Sequence, residues 1–152
     1  MQKPAQKRML QEFVRQFTDQ QIYHELEIVS KSFYEVPKEL KEITEKANQE
    51  FFCAGEFLGK IDRQKFTPSV ELLKRLRKVT KNVATVNDQA AWLFVCGRDI
   101  LDKGIDDSGV EEGVVIVLDR KDNILGYGIL SYQHGVAIKN LWDLGDFLRR
   151  ER

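Results

Sequence analysis

Apolar side chains at Leu10, Phe13, Val14 and Phe17 recur at i, i+3, i+4 and i+7, which predicts an amphipathic helix with Pro4 in its first turn. Thr18 and Asp19 interrupt that period. The period then drops to two. Leu26 and Ile28 alternate with Glu25, Glu27 and Val29, and Phe33-Tyr34-Glu35-Val36 repeats the pattern after a Ser-Lys-Ser interruption, so a β-hairpin ending at Pro37 is expected. Residues 38–47 carry Leu40, Ile43 and Ala47 on one side, with Glu42 and Lys46 four apart on the other, as in a short exposed helix. Residues 51–61 read as a strand in which Gly55 and Gly59 mark a bulge or a close backbone approach. Over 66–81 a helical projection gathers Leu72, Leu73, Leu76 and Val79 in one arc and Lys74, Arg75, Arg77, Lys78 and Lys81 opposite them. Thr67 is the expected N-cap of that helix and Pro68 its first residue.

Glycine usage changes near residue 80. Gly55 and Gly59 precede it, while Gly97, Gly104, Gly109, Gly113, Gly126, Gly128, Gly135 and Gly145 follow, as when long helices give way to short strands and tight turns. Two domains are therefore expected, 1–79 and 80–152, of overall α+β class. In the second, residues 83–86 form a first strand, Asp88 caps a helix running to about Val95, and Gly97 ends it. Asp122-Asn123 makes the turn between the strands 114–118 and 124–130. Asp143 caps a closing helix with Trp142 and Phe147 as a hydrophobic staple, and Arg149, Arg150 and Arg152 near its negative end.

Composition places the chain among globular proteins, with 42% apolar and 32% charged residues over 152 positions. Neither an apolar stretch of membrane-crossing length nor a signal-peptide run is present in the sequence, so a soluble intracellular protein with no membrane partner is expected. Cys53 and Cys96, each among apolar neighbours, predict two buried free thiols. Enzymatic chemistry finds no support. Gly126-Tyr127-Gly128 lacks the third glycine and the following helix of a dinucleotide loop, and close packing over a strand is the better reading. Two histidines, no Cys-x-x-Cys pair and no Gly-x-Ser-x-Gly elbow leave neither a metal site nor a hydrolytic triad. No cofactor and no catalytic residue is expected.

What remains is a set of cations able to meet phosphate. The densest run is Lys74, Arg75, Arg77, Lys78 and Lys81, which by itself reads equally as the solvated face of a helix. Arg98 and Lys103 stand beside Gly97 and Gly104, where loop amides can approach phosphate, although ordinary turns have the same composition. Lys plus Arg and Asp plus Glu number 24 each, so the whole chain offers phosphate no net attraction. After Lys78 the balance is 9 basic to 12 acidic residues.

The segments 89–105, 114–118 and 124–130 together resemble a PUA domain, an RNA-binding barrel, with 97–105 similar to the loop that PUA domains turn toward RNA. Gly55-Glu56-Phe57-Leu58-Gly59-Lys60-Ile61 and the ending from Ile138 to Arg150 resemble the Nip-seven family of ribosome-biogenesis factors in its short, archaeal-like form. That resemblance implies an N-terminal antiparallel sheet with helices, called a pre-PUA domain, followed by a PUA-type β-barrel with a closing helix. It implies a non-catalytic, monomeric factor in large-subunit assembly and precursor-rRNA processing. Its partners would be RNA, including uridine-rich RNA, and ribosome-assembly or exosome proteins. The location would be cytoplasmic in a prokaryote or archaeon and nucleolar or nuclear in a eukaryote. Gly97, Arg98, Lys103, Gly104, Lys139, Trp142, Arg149 and Arg150 are the RNA-contacting residues expected, with the 74–81 cations as a secondary patch. Lys139 matches the basic residue of the family's Ile-Lys-Asn-Leu segment, but Gly135, Val136, Ala137 and Trp142 stand where members often carry basic residues. Trp142 is open to two roles, a base stack or the staple against Phe147. The alternative for the whole chain is a protein-interaction adaptor whose PUA-like module no longer binds RNA strongly.

Overall fold

The structure is a computed structural model that describes residues 2–37, 39, 55–146 and 149. Two compact units divide the chain, Met1–Leu76 and Arg77–Arg152. In the first, helix α1 (Lys3–Arg15) starts on Pro4 and buries Gln6, Leu10, Phe13 and Val14, the face set by its 3.6-residue period. Strands β1 (Leu26–Val29) and β2 (Ser32–Glu35) form the expected hairpin, and β3 (Glu56–Asp62) and β4 (Lys65–Pro68) continue it into an antiparallel sheet ordered β1-β2-β3-β4. Consecutive Phe33 and Tyr34 of β2 pair with Gly59 and Phe57, which leaves Leu58 of β3 as the extra residue of a bulge beside Gly59. Phe33 is fully buried and meets the Phe66 ring at 5.6 Å, and Phe13 meets the same ring at 5.0 Å. Burial of each such side chain contributes about 1.5–3 kcal/mol. The expected helix over 38–47, the strand residues 51–54 and Cys53 lie outside the described residues.

Helix α2 (Val70–Arg77) corrects the expected start. Thr67 and Pro68 belong to β4, and Ser69 is the cap: its Oγ accepts from the Leu72 amide at 3.0 Å and its carbonyl from Leu73 at 3.2 Å. Pro68 fits a strand because β4 is the sheet's edge, where a missing donor costs nothing. Leu72, Leu73 and Leu76 are buried as the arc predicts, whereas Val79 lies beyond the helix.

The second unit is built on β5 (Val83–Val86), helix α3 (Asp88–Val95), β6 (Ile100–Leu101), a 3₁₀ turn (Asp102–Gly104), β7 (Ile105–Ser108), β8 (Gly113–Leu118), β9 (Ile124–Gln133) and β10 (Val136–Asp143). Its sheet runs β6-β10-β9-β8-β5-β7 and curls into a half-barrel, with β5 and β8 parallel and the other pairs antiparallel. Alternation sends Val115, Val117, Leu130 and Ile138 inward, where Ala90 and Phe94 of α3 cover them. Ile116, Leu118 and Tyr127 are buried on the opposite face. The glycines of Gly126-Tyr127-Gly128 let strands meet closely: a Cβ on Gly126 would lie 2.0 Å from the Trp142 carbonyl oxygen, and one on Gly128 2.3 Å from that of Lys139. The β8–β9 turn is held by Asp119, whose carboxylate accepts from the Lys121 and Asn123 amides at 2.9 Å, with Asp122 at φ +63°. Cys96 is an exposed free thiol rather than a buried one.

Candidate nucleic-acid interface

Asn87, not Asp88, caps α3, because its Oδ1 accepts from the Ala90 amide at 2.9 Å. The helix ends where Gly97 turns at φ +92°, its amide donating to Phe94 at 2.9 Å while that of Arg98 donates to Leu93 at 3.0 Å. Both amides are thereby engaged in the turn. The chain next runs back along α3 to its beginning, where the Asn87 amide donates to the Gly104 carbonyl at 2.9 Å and Asn87 Nδ2 to that of Lys103 at 3.1 Å. An eight-residue helix is about 12 Å long, so exposed Arg98 and exposed Lys103 stand at opposite ends of this loop. Gly104 is buried, and a Cβ there would meet Ala90 Cβ at 2.7 Å, so this glycine serves packing.

Asn140 ties the loop to β10. Its amide donates to Asp99 Oδ1 at 2.8 Å, and its Nδ2 donates to the Phe94 carbonyl at 2.9 Å, the Arg98 carbonyl at 3.3 Å and Asp143 Oδ2 at 3.1 Å. With Asn140 directed at α3, strand alternation turns exposed Lys139 to the other face, where it pairs across β9 with Ile129. Arg98, Lys103 and Lys139 thus flank one sheet edge without converging on one point.

Arg149, exposed at its surface, is also tied into its own unit. Its Nη1 donates to the Val95 carbonyl at 2.9 Å and to Asp143 Oδ1 at 3.0 Å, and its Nη2 donates to Asp143 Oδ2 at 2.8 Å. The guanidinium therefore meets the negative end of α3 and answers a carboxylate only 2% exposed. The Asp143 hydrogen bonds hold the Arg149 pKa above its usual value. Asp143 accepts from the Gly145 amide at 2.9 Å, which starts the final turn. Trp142 is half-buried on β10 opposite Tyr127, whose hydroxyl burial pushes up to about 12. Arg150 and the staple partner Phe147 lie outside the described residues.

Of the secondary patch, Lys74, Lys78 and Lys81 are exposed and Arg77 is half-buried. Arg75 sits in an acidic socket: it pairs with Glu35 at 2.9 Å, with Glu71 at 3.4 Å and with Glu56, and donates to the Ile22 carbonyl at 3.3 Å. Burial raises the Glu35 carboxyl, but hydrogen bonds from Arg75 and the His24 amide outweigh it and hold the group below the ordinary carboxylate range.

Two exposed apolar residues carry no signal in the sequence. Trp92 on α3 is 69% exposed and Leu101 on β6 is 59% exposed. Among the described residues no three His, Cys, Asp or Glu side chains gather to hold a metal ion, and no described helix is long and apolar enough to cross a membrane.

Residues 82–152 match a family model described as the UPF0113 PUA domain. The second unit is a PUA domain. A PUA domain points to RNA binding in general and is typically non-catalytic. The chain is similar to a conserved PUA domain protein of Thermoplasma acidophilum at 18% identity and a TM-score of 0.61, covering 99% of this chain and 96% of that one. A hypothetical protein of Pyrococcus horikoshii gives 16% and 0.59 over 99% of this chain and 96% of its own. A PUA domain of Aeropyrum pernix, solved as a tartrate complex, gives 17% and 0.56 over 97% and 86%. At such identities the likeness is one of fold. No curated protein sequence matches the chain.

Proposed function

We propose that this protein is a non-catalytic RNA-binding factor of large-ribosomal-subunit assembly, which holds precursor rRNA at the edge of its PUA domain. The observation that carries the reading is the loop 97–104 of that domain, pinned by Asn140 and Asn87 and presenting Arg98 and Lys103 to solvent, with Lys139 on the adjacent strand. Fixed loops hold cations in register with a phosphate backbone, which supplies affinity and position without base identity. The ribosomal role rests on the resemblance of 55–61 and 138–150 to the Nip-seven family.

The test is fluorescence anisotropy with rRNA fragments and uridine-rich oligonucleotides over a salt series. Each of Arg98→Ala, Lys103→Ala and Lys139→Ala is expected to lower the log–log salt slope by about 0.7 on single strands. Wild-type slopes in all three variants would overturn the surface, and a salt-insensitive interaction confined to assembly proteins would favour the adaptor reading. Crosslinking and sequencing of RNA bound to the tagged protein in cells tests the ribosomal assignment.

A further inference from the structure

Trp92 and Leu101 are the two most exposed large apolar side chains among the described residues; Trp92 is on α3, whose C-terminal end leads into the loop that carries Arg98 and Lys103, and Leu101 is within that loop. Trp92 has no role in the core of its own unit. Its helix buries Ala90 and Phe94, and at 100° per residue Trp92 lies near the opposite side, on the same strip as exposed Asp88 and Cys96. The result is an order of aromatic, cation, aliphatic and cation within twelve residues: Trp92, Arg98, Leu101, Lys103. Exposed Asp99 and Asp102 flank Leu101 along the chain, a charged setting unlike the charge-depleted core of a protein–protein interface. We infer that Trp92 is a stacking platform for an unpaired base, so that the ligand of this edge is single-stranded rather than duplex RNA. The inference rests on the RNA-binding reading above and names the ligand class.

Magnitudes favour this. Two phosphate contacts to a single strand give a salt slope of about −1.4, roughly a sevenfold loss of affinity for a fourfold rise in salt. So few contacts, beside two carboxylates, give weak binding on their own. Stacking of one base on an aromatic ring adds about five- to 150-fold, and it needs a base free of its neighbours, which A-form duplex does not present.

The test uses the full chain with a uridine-rich single-stranded oligonucleotide and with a duplex of equal length. Trp92→Ala is expected to weaken single-strand binding about five- to 150-fold with the salt slope unchanged, and duplex binding little. Trp92→Phe keeps a ring and is expected to retain most of the affinity, while the RNA-induced quenching expected from Trp92 is lost and only the Trp142 emission remains. Wild-type affinity of Trp92→Ala for the single strand, or equal affinity of the wild type for duplex and single strand, would overturn the platform. If Arg98→Ala with Lys103→Ala still loses affinity in that case, the RNA-binding surface stands and the stack alone fails. If the wild type binds neither RNA, both fall.

Discussion

Two arginines of this chain sit in acidic sockets, and the sockets are unlike. Arg75 in the first unit faces three glutamates, of which Glu56 and Glu71 have side chains 58% and 42% exposed, so solvent already answers much of the charge. Arg149 in the second unit faces two, Asp143 at 2.8 Å with a side chain only 2% exposed and Asp146 at 3.8 Å with one 25% exposed. More partners do not make the stronger clamp. An exposed glutamate that loses its arginine rehydrates, whereas Asp143 would keep a buried charge answered, among the described residues, by Asn140 and the Gly145 amide.

Arg149→Met should therefore have the largest effect, a loss of about 2–3 kcal/mol from the second unit, discounted from fully buried pairs because Arg149 itself reaches solvent. Urea denaturation followed by tryptophan emission measures it, since both tryptophans, Trp92 and Trp142, belong to that unit. An equal or greater loss from Arg75→Met would break the comparison. Arg75→Met is expected to cost about 1 kcal/mol, read from amide exchange in α2. The smallest effect is that of mild acid. Because Glu35 titrates lower when folded than when unfolded, its contribution is complete above the unfolded pKa and fades as pH falls through the folded one. Exchange in α2 should accelerate over that window in the wild type and show a weaker acid dependence in Glu35→Gln.

The regular part of this fold was legible because burial writes a period. The α1 face and the β1–β2 hairpin show it plainly, while the β8–β9 pair shows instead as two apolar runs joined by Asp122-Asn123. The β3–β4 hairpin escaped because its turn, Arg63-Gln64, adopts positive φ at two residues that carry no turn signal. Thr67-Pro68 then resembled a helix start. At the candidate interface the unread contacts share a cause: net charge and spacing do not record partners. Arg149 counts as a free cation until Asp143 is seen beside it, and Lys139 and Asn140 are parted only once 136–143 is seen to be a strand, whose alternation sends neighbours to opposite faces. Trp92 was hidden by the uniformly apolar run 90–95, in which no polar position marks the outward side.

The parallel pairing of β5 with β8 also carries a kinetic consequence. Strands β8, β9 and β10 are joined by short turns and can zip locally, but β5 must hold its place while about thirty residues, including α3 and β7, are threaded past it. The meander is therefore the natural nucleus and β5 a latecomer. A cavity at Val86 should hasten unfolding far more than it slows refolding, so the lifetime of the folded domain is governed by the strand that joins it last.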